Sequence, residues 1–189
     1  IEKGLNTPET SSVGRIFDAA SALLGVCIHP CYEGEAAILL EAAAHKAQAE
    51  AAGVPVEDER YRIGFIKNTA TENSTAADTS VLLMDVAPVF AAMLDDMQES
   101  VPTPVIAARF HSAFVDAIVN VAELVRATYG IEIMALAGGV FMNRYLMERT
   151  LARLQEHGFT VALNKELPPN DASISYGQAV LGLQAQHEE

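Results

Sequence analysis

The chain has 189 residues, half of them apolar and 20% charged, with no Trp. That composition suits one well-buried domain or two small lobes and excludes a disordered chain. With 12 basic residues against 25 acidic, the formal net charge is −13, a surface that repels phosphate backbones and excludes nucleic acid as an expected partner.

Taken in chain order, the opening "IEKGLNTPETSS" has no apolar segment of the signal-peptide kind and reads like the interior of a longer protein. "TSSVGRIFDAASALLG" (10–25) predicts a helix: hydroxyls suited to N-capping, Ile16, Ala20, Leu23 and Leu24 at helical spacing, and Gly25 as the stop. "CIHPCYEG" (27–34) is a loop. Its two cysteines cannot build a disulfide framework, which points to a cytoplasmic protein, and Cys27, His29 and Cys31 lack the four ligands of a zinc cage. A long Ala-rich helix follows and ends at Gly53. Ile38, Leu39, Ala42 and Ala43 are expected on its inner side, with Glu41, His45 and Glu50 nearer solvent.

"RYRIGFIK" and "TSVLLMDV" predict strands joined by the polar "NTATENSTAADT". The apolar window "VLLMDVAPVFAAML" is broken by Asp85 and Pro88 and falls short of the roughly 20 residues a membrane helix needs, so no membrane span is expected. "PVFAAMLDDMQES" resumes helical spacing up to Pro102. The clearest helix runs over 104–129, with a stripe of Ile106, Phe110, Phe114, Ile118, Val121 and Val125 closed by Gly130. "IEIMALAGG" is a strand into a glycine turn, "MNRYLMERTLARLQEHG" a helix, "FTVALN" a strand, "LPPND" a loop and "SISYGQAVLGLQAQ" a last helix. Strand, helix and strand in succession imply parallel pairing through a right-handed crossover, so the fold class is α/β and helix-rich.

Three places invite chemistry. Gly138 and Gly139 follow the strand, where the lack of Cβ permits positive φ and close approach of a ligand to the main chain. Asn143 beyond them fits two roles, an N-cap or a donor–acceptor for a ribose hydroxyl or purine edge. Asp171 in "PPNDASISYGQA" likewise fits an N-cap or a hard oxygen ligand to a metal. Asp18, one turn after Gly14 and set among apolar residues, is a carboxylate in need of partners, which a ribose diol would supply. His111 is expected to be packed or capping, and Arg15 and Arg144 fit either phosphate contact or plain surface.

"TSSVGRIFDAASALLG", "YEGEAAILLEAAA", "AARFHSAF", "LAGGVFMNR" and "PPNDASISYGQA", in this order, resemble the carboxy-terminal domain of the hydrogenase-maturation carbamoyltransferases (HypF) from about residue 5 to 183. The resemblance is weakest across 50–100. The domain is similar to the tRNA threonylcarbamoyl-transferring proteins and to antibiotic O-carbamoyltransferases. It implies an actin-like, sugar-kinase-like ATPase fold of two ribonuclease-H-like lobes. Residues 1–189 would form a single fragment, mostly the second lobe, with 53–103 a more variable insertion.

By motif match, the resemblance implies that Asp18, Gly34 and Asn143 contact adenosine, with Gly138 and Gly139 forming the adjacent loop and Asp171 binding iron or zinc. The family reaction makes carbamoyl-adenylate from carbamoyl phosphate and ATP. It then passes the carbamoyl group to the C-terminal cysteine of a partner hydrogenase-maturation protein. Two departures stand out: Ala172 and Ser173 replace the family's Gly-Gly, and the five histidines (29, 45, 111, 157, 187) show no His-x-x-x-His spacing. The remaining metal ligands are therefore expected outside this chain, and the fragment is expected to be inactive alone. The alternatives are an O-carbamoyltransferase or kinase of the same fold, or a non-catalytic module that docks the partner.

Overall fold

The structure, a computed structural model, describes residues 10–50, 56–68 and 81–187. The expected helix end at Gly53 and nearly all of the connection "NTATENSTAADT" lie outside these residues. The elements run α1 (Val13–Leu23), α2 (Glu35–Glu50), β1 (Gly64–Asn68), β2 (Val81–Asp85), α3 (Ala87–Gln98), α4 (Thr103–Tyr129), β3 (Ile133–Leu136), α5 (Arg144–Glu156), β4 (Thr160–Leu163) and α6 (Ile174–His187). Short 3-10 turns at Gly139–Met142 and Asp171–Ser173 precede α5 and α6.

Helix α1 stops as its glycine predicts. Gly25 adopts φ 68°, and the N–H groups of Gly25 and Val26 donate to Ala22 and Ser21 carbonyls at 3.1 and 2.9 Å. Its start differs from expectation, because Ser12 makes no side-chain cap and instead donates its N–H to Thr10 Oγ1 at 3.1 Å.

Helix α2 is turned relative to the expected face. Ala36, Leu40, Ala44 and Ala47 are buried, whereas Ile38 and Leu39 are 51% and 39% exposed. The reason is steric: α2 lies against α4, and the small alanines permit close approach where Ile38 would hold the helices apart. Glu41, expected toward solvent, accepts the N–H groups of Arg144 and Tyr145 at 2.8 and 3.3 Å, placing a carboxylate at the positive end of α5.

All four expected strands form, and the parallel pairing expected of the last two is present. β1 and β2 pair antiparallel with Phe65 opposite Met84, and β3 and β4 pair parallel with Ile133 opposite Thr160. The residues 81–94 that make the apolar window form a strand and the start of α3. α4 is instead the described helix long and apolar enough to cross a membrane, yet 72% of that window is buried within the protein.

α4 joins two cores. Its first half packs Ile106, Phe110 and Phe114 with Phe17, Leu40, Met93 and Leu146, and Phe17 meets Phe110 edge-on at 5.0 Å. Its second half places Val119 and Ala122 against Leu136, Leu154 and Phe159 beneath β3 and β4. Ile106, Phe110 and Phe114 of the expected stripe are buried, while Ile118, Val121 and Val125 are half-buried.

An ionic cluster absent from the sequence reading ties residues 58–61 to α3 and α4. Asp96, fully buried, accepts from Arg60 Nη2 (2.5 Å), Tyr61 Oη (2.7 Å) and Arg109 Nη1 (2.6 Å), and Asp58 lies 3.2 Å from Arg109. Burial, then the hydrogen bond to Asp96, pushes the Tyr61 phenol well above its ordinary range, so it stays a donor.

Candidate functional site

α1 and the loop before α2 meet in a cavity of about 390 Å³ whose lining includes Arg15, Asp18, Cys31, Tyr32 and Gly34. Helical spacing explains why Asp18 faces it. Phe17 and Ala20 turn into the core, leaving Asp18 half-buried at the rim. The carboxylate pairs with Arg15 Nη1 one turn earlier on the same helix, at 3.3 Å. Gly34, at φ 85°, accepts the Ile38 N–H at 3.0 Å and so opens α2, and a Cβ at Gly34 would meet nothing within 4 Å. Desolvation, then the charges of Glu35, Cys31 and Asp18, pushes the Cys27 thiol up, which keeps it out of the reactive thiolate form.

The turn after β3 is built on one glycine. Gly138 has φ 105° and ψ 156°, a region essentially closed to other residues, whereas Gly139 is absent from the positive-φ positions. A Cβ at either glycine would face open space, so the main chain is bare there. Gly138 N–H donates to Pro169 O at 2.6 Å, clamping the turn to the loop that carries Asp171. We expect Gly138→Ala to cost about 1–3 kcal/mol of backbone strain with no steric clash, while Gly139→Ala costs little. Paired urea denaturation curves check this.

Asp171 is exposed and opens the turn before α6, and Asn170 takes the capping role, its Oδ1 accepting Ala172 N–H at 3.2 Å. Asp171 is thus freed of the N-cap role. The residues present do not make a metal centre, because among the described residues no three His, Cys, Asp or Glu side chains converge.

Asn143 takes the N-cap role and more. Its Oδ1 accepts Leu146 N–H at 2.9 Å, and its Nδ2 lies 2.9 Å from Nε2 of His111. Desolvation lowers the His111 pKa to about 4, so the ring is neutral. Arg144, by contrast, pairs with Glu148 at 2.6 Å along α5.

Asp18 and Gly34 therefore share one cavity, Gly138, Gly139 and Asp171 share a second edge through the Pro169 bond, and α1 abuts the turn at 139–142. Phe17, beside Asp18, stacks edge-on with His111 at 5.2 Å, and His111 holds Asn143, so a chain of contacts joins the two groups. The larger depression, about 830 Å³, lies elsewhere, between residues 56–63 and α4, and contains none of the six expected residues. The sequence reading missed His111 as the partner of Asn143. No local signal could reveal it, since the two are 32 residues apart.

A family described as the carbamoyltransferase Kae1-like domain, second subdomain, matches residues 1–178. Carbamoyltransferase HypF of Synechocystis is 34% identical over 178 residues, covering 94% of this chain and 20% of that protein. Probable carbamoyltransferase HypF of Methanocaldococcus jannaschii is 29% identical and covers 95% of this chain and 21% of the relative. Among solved structures, full-length HypF in its phosphate- and nucleotide-bound form superposes with a TM-score of 0.80 at 31% identity, covering 98% of this chain and 22% of that one. HypF of T. kodakarensis gives 0.68 at 27% identity, covering 95% and 21%. The chain spans about a fifth of the length of these relatives. A match over nearly every residue, in sequence and in backbone, decides the matter: the chain belongs to the HypF carbamoyltransferase family, as the second subdomain of its Kae1-like domain.

Proposed function

We propose that these 189 residues form the C-terminal lobe of a carbamoyltransferase domain with the actin-like ATPase fold, 53–103 being a variable insertion, and that the lobe holds one side of a nucleotide. The observation that carries this is the Gly138 turn: bare main chain in a glycine-only conformation, clamped to the Asp171 loop at the end of a parallel strand. Asp18 and Gly34 contact the adenosine moiety from the α1 cavity, Gly138 and Gly139 form the loop beside it, and Asn143 orients it. The bound nucleotide in the full-length HypF structure supports the reading.

The substrates are ATP and carbamoyl phosphate. Hydrolysis of the latter releases phosphate and leaves carbamate, whose oxygen attacks the α-phosphorus of ATP and expels pyrophosphate. The product is carbamoyl-adenylate, a mixed anhydride that survives only where water is excluded. The acceptor is the C-terminal cysteine thiolate of a partner maturation protein, which serves nickel–iron hydrogenase assembly. Attack of the thiolate on the carbamoyl carbon forms the C–S bond and expels AMP, so this chain need supply no covalent nucleophile. Any iron or zinc at Asp171 would draw its other ligands from beyond the described residues. Two unpaired thiols, Cys27 and Cys31, are in keeping with a cytoplasmic location.

Titration of ATP and AMP into the protein expressed from its complete reading frame tests the site. Asp18→Ala and Asn143→Ala each weaken binding by about tenfold or more, the loss of one or two ligand hydrogen bonds. Unchanged nucleotide affinity in both variants overturns the site, and partner binding without any nucleotide binding would favour a docking module.

A further inference from the structure

The ring behind the Asn143 amide carries an inference that rests on the nucleotide reading above. His111 is fully enclosed on α4, its ring 5.2 Å from Phe17 and 5.1 Å from Tyr145. Nδ1 lies 2.7 Å from the Ala107 carbonyl oxygen. A carbonyl only accepts, so the proton of the neutral ring sits on Nδ1 and Nε2 presents a lone pair. That lone pair faces Asn143 Nδ2 at 2.9 Å, while the amide's Oδ1 faces Leu146 N–H at 2.9 Å. The amide cannot be turned over: Oδ1 would then meet a second lone pair and the NH2 group would meet an N–H donor. With each end used once, the amide keeps one proton and one lone pair.

We propose that His111 is a positioning residue of the nucleotide site, holding the Asn143 amide in the one orientation that sets which of its ends donates and which accepts toward adenosine. The groups that face the ring support the neutral state. Arg149 from α5 and His45 from α2 both oppose its protonation, and Tyr145 stacks without charge.

A double-mutant cycle read by AMP titration, on the protein from its complete reading frame, tests this. His111→Phe weakens AMP about tenfold in the wild-type background and less than about twofold on Asn143→Ala. His111→Gln, whose amide can donate to Ala107 O and accept from Asn143, recovers affinity to within about threefold. Additive losses, or equal losses in the Phe and Gln variants at unchanged thermal midpoint, overturn the positioning role. A silent Asn143→Ala overturns this proposal, and a silent Asp18→Ala beside it overturns the nucleotide reading as well. A weakened Asn143→Ala beside a silent His111→Phe overturns positioning alone. Should the Phe variant not fold, selective ¹⁵N-histidine spectra of the wild type decide. An Nδ1–H tautomer with an Nε2 signal that shifts on AMP binding supports the role, and an Nε2–H tautomer or an unmoved signal overturns it.

Discussion

Replacing Asp96 with Ala lowers the unfolding free energy by about 3–5 kcal/mol, the cost of breaking a buried ion pair from one side. Asp96 is fully buried and holds Arg60, Tyr61 and Arg109 at 2.5–2.7 Å. Its loss strands the Tyr61 hydroxyl and leaves Arg109, itself 5% exposed, with Asp58 at 3.2 Å as a more distant carboxylate. Replacing the exposed pair Arg144–Glu148, 2.6 Å apart, costs at most about 1 kcal/mol, because water screens it. The contrast separates burial from pairing. Equal urea midpoints for the Asp96→Ala and Glu148→Ala variants would refute the account of the cluster.

Acidification destabilises the protein through His111. An unfolded histidine titrates near 6.5, whereas burial holds the folded ring down to about 4. Below pH 6.5 the unfolded chain therefore binds a proton that the native state refuses, so stability falls as pH falls and this contribution levels off beneath about pH 4. Across that window the loss amounts to about 3 kcal/mol, and above pH 6.5 the group contributes no slope. Carboxylates titrate over part of the same range. The measurement is therefore the difference between wild type and His111→Gln in unfolding free energy at pH 7 and pH 4.5. A difference independent of pH would show that His111 is not the group responsible.

Local signals located the elements well because the forces that start and stop a helix act over a few residues. Gly25, Gly130 and Gly158 all adopt the left-handed conformation that ends α1, α4 and α5. The β3–α5–β4 unit follows from its pattern of apolar strand, glycine turn and amphipathic helix. Faces were harder to read. α2 is apolar on nearly every side, so periodicity could not choose between Ile38–Leu39 and Leu40–Ala44. The neighbouring α4 chose, by admitting alanine.

The candidate site divides the same way. Gly138 was legible as a residue demanded by backbone geometry, and five ordered motifs pointed to the family before any coordinate. What each polar side chain does there was not legible. Asn143 and Asp171 each fitted an N-cap or a ligand role. The fold made Asn143 a cap that also binds His111, and it passed the capping role next to Asp171 to Asn170. The cluster of Asp58, Arg60, Arg109 and Asp96 shows no sequence signal, since each residue alone looks like ordinary surface charge.

By itself, then, the sequence determined the element order, the helix stops, the glycine turn and the family. Tertiary structure alone decided which face of α2 is inward, which carboxylates are buried, and which partner orients the Asn143 amide. The physical reason is range. Turn conformation and helix periodicity depend on neighbours within a few residues, whereas hydrogen-bond partners 32 and 103 residues apart, as for Asn143–His111 and Arg144–Glu41, exist only once the chain has packed.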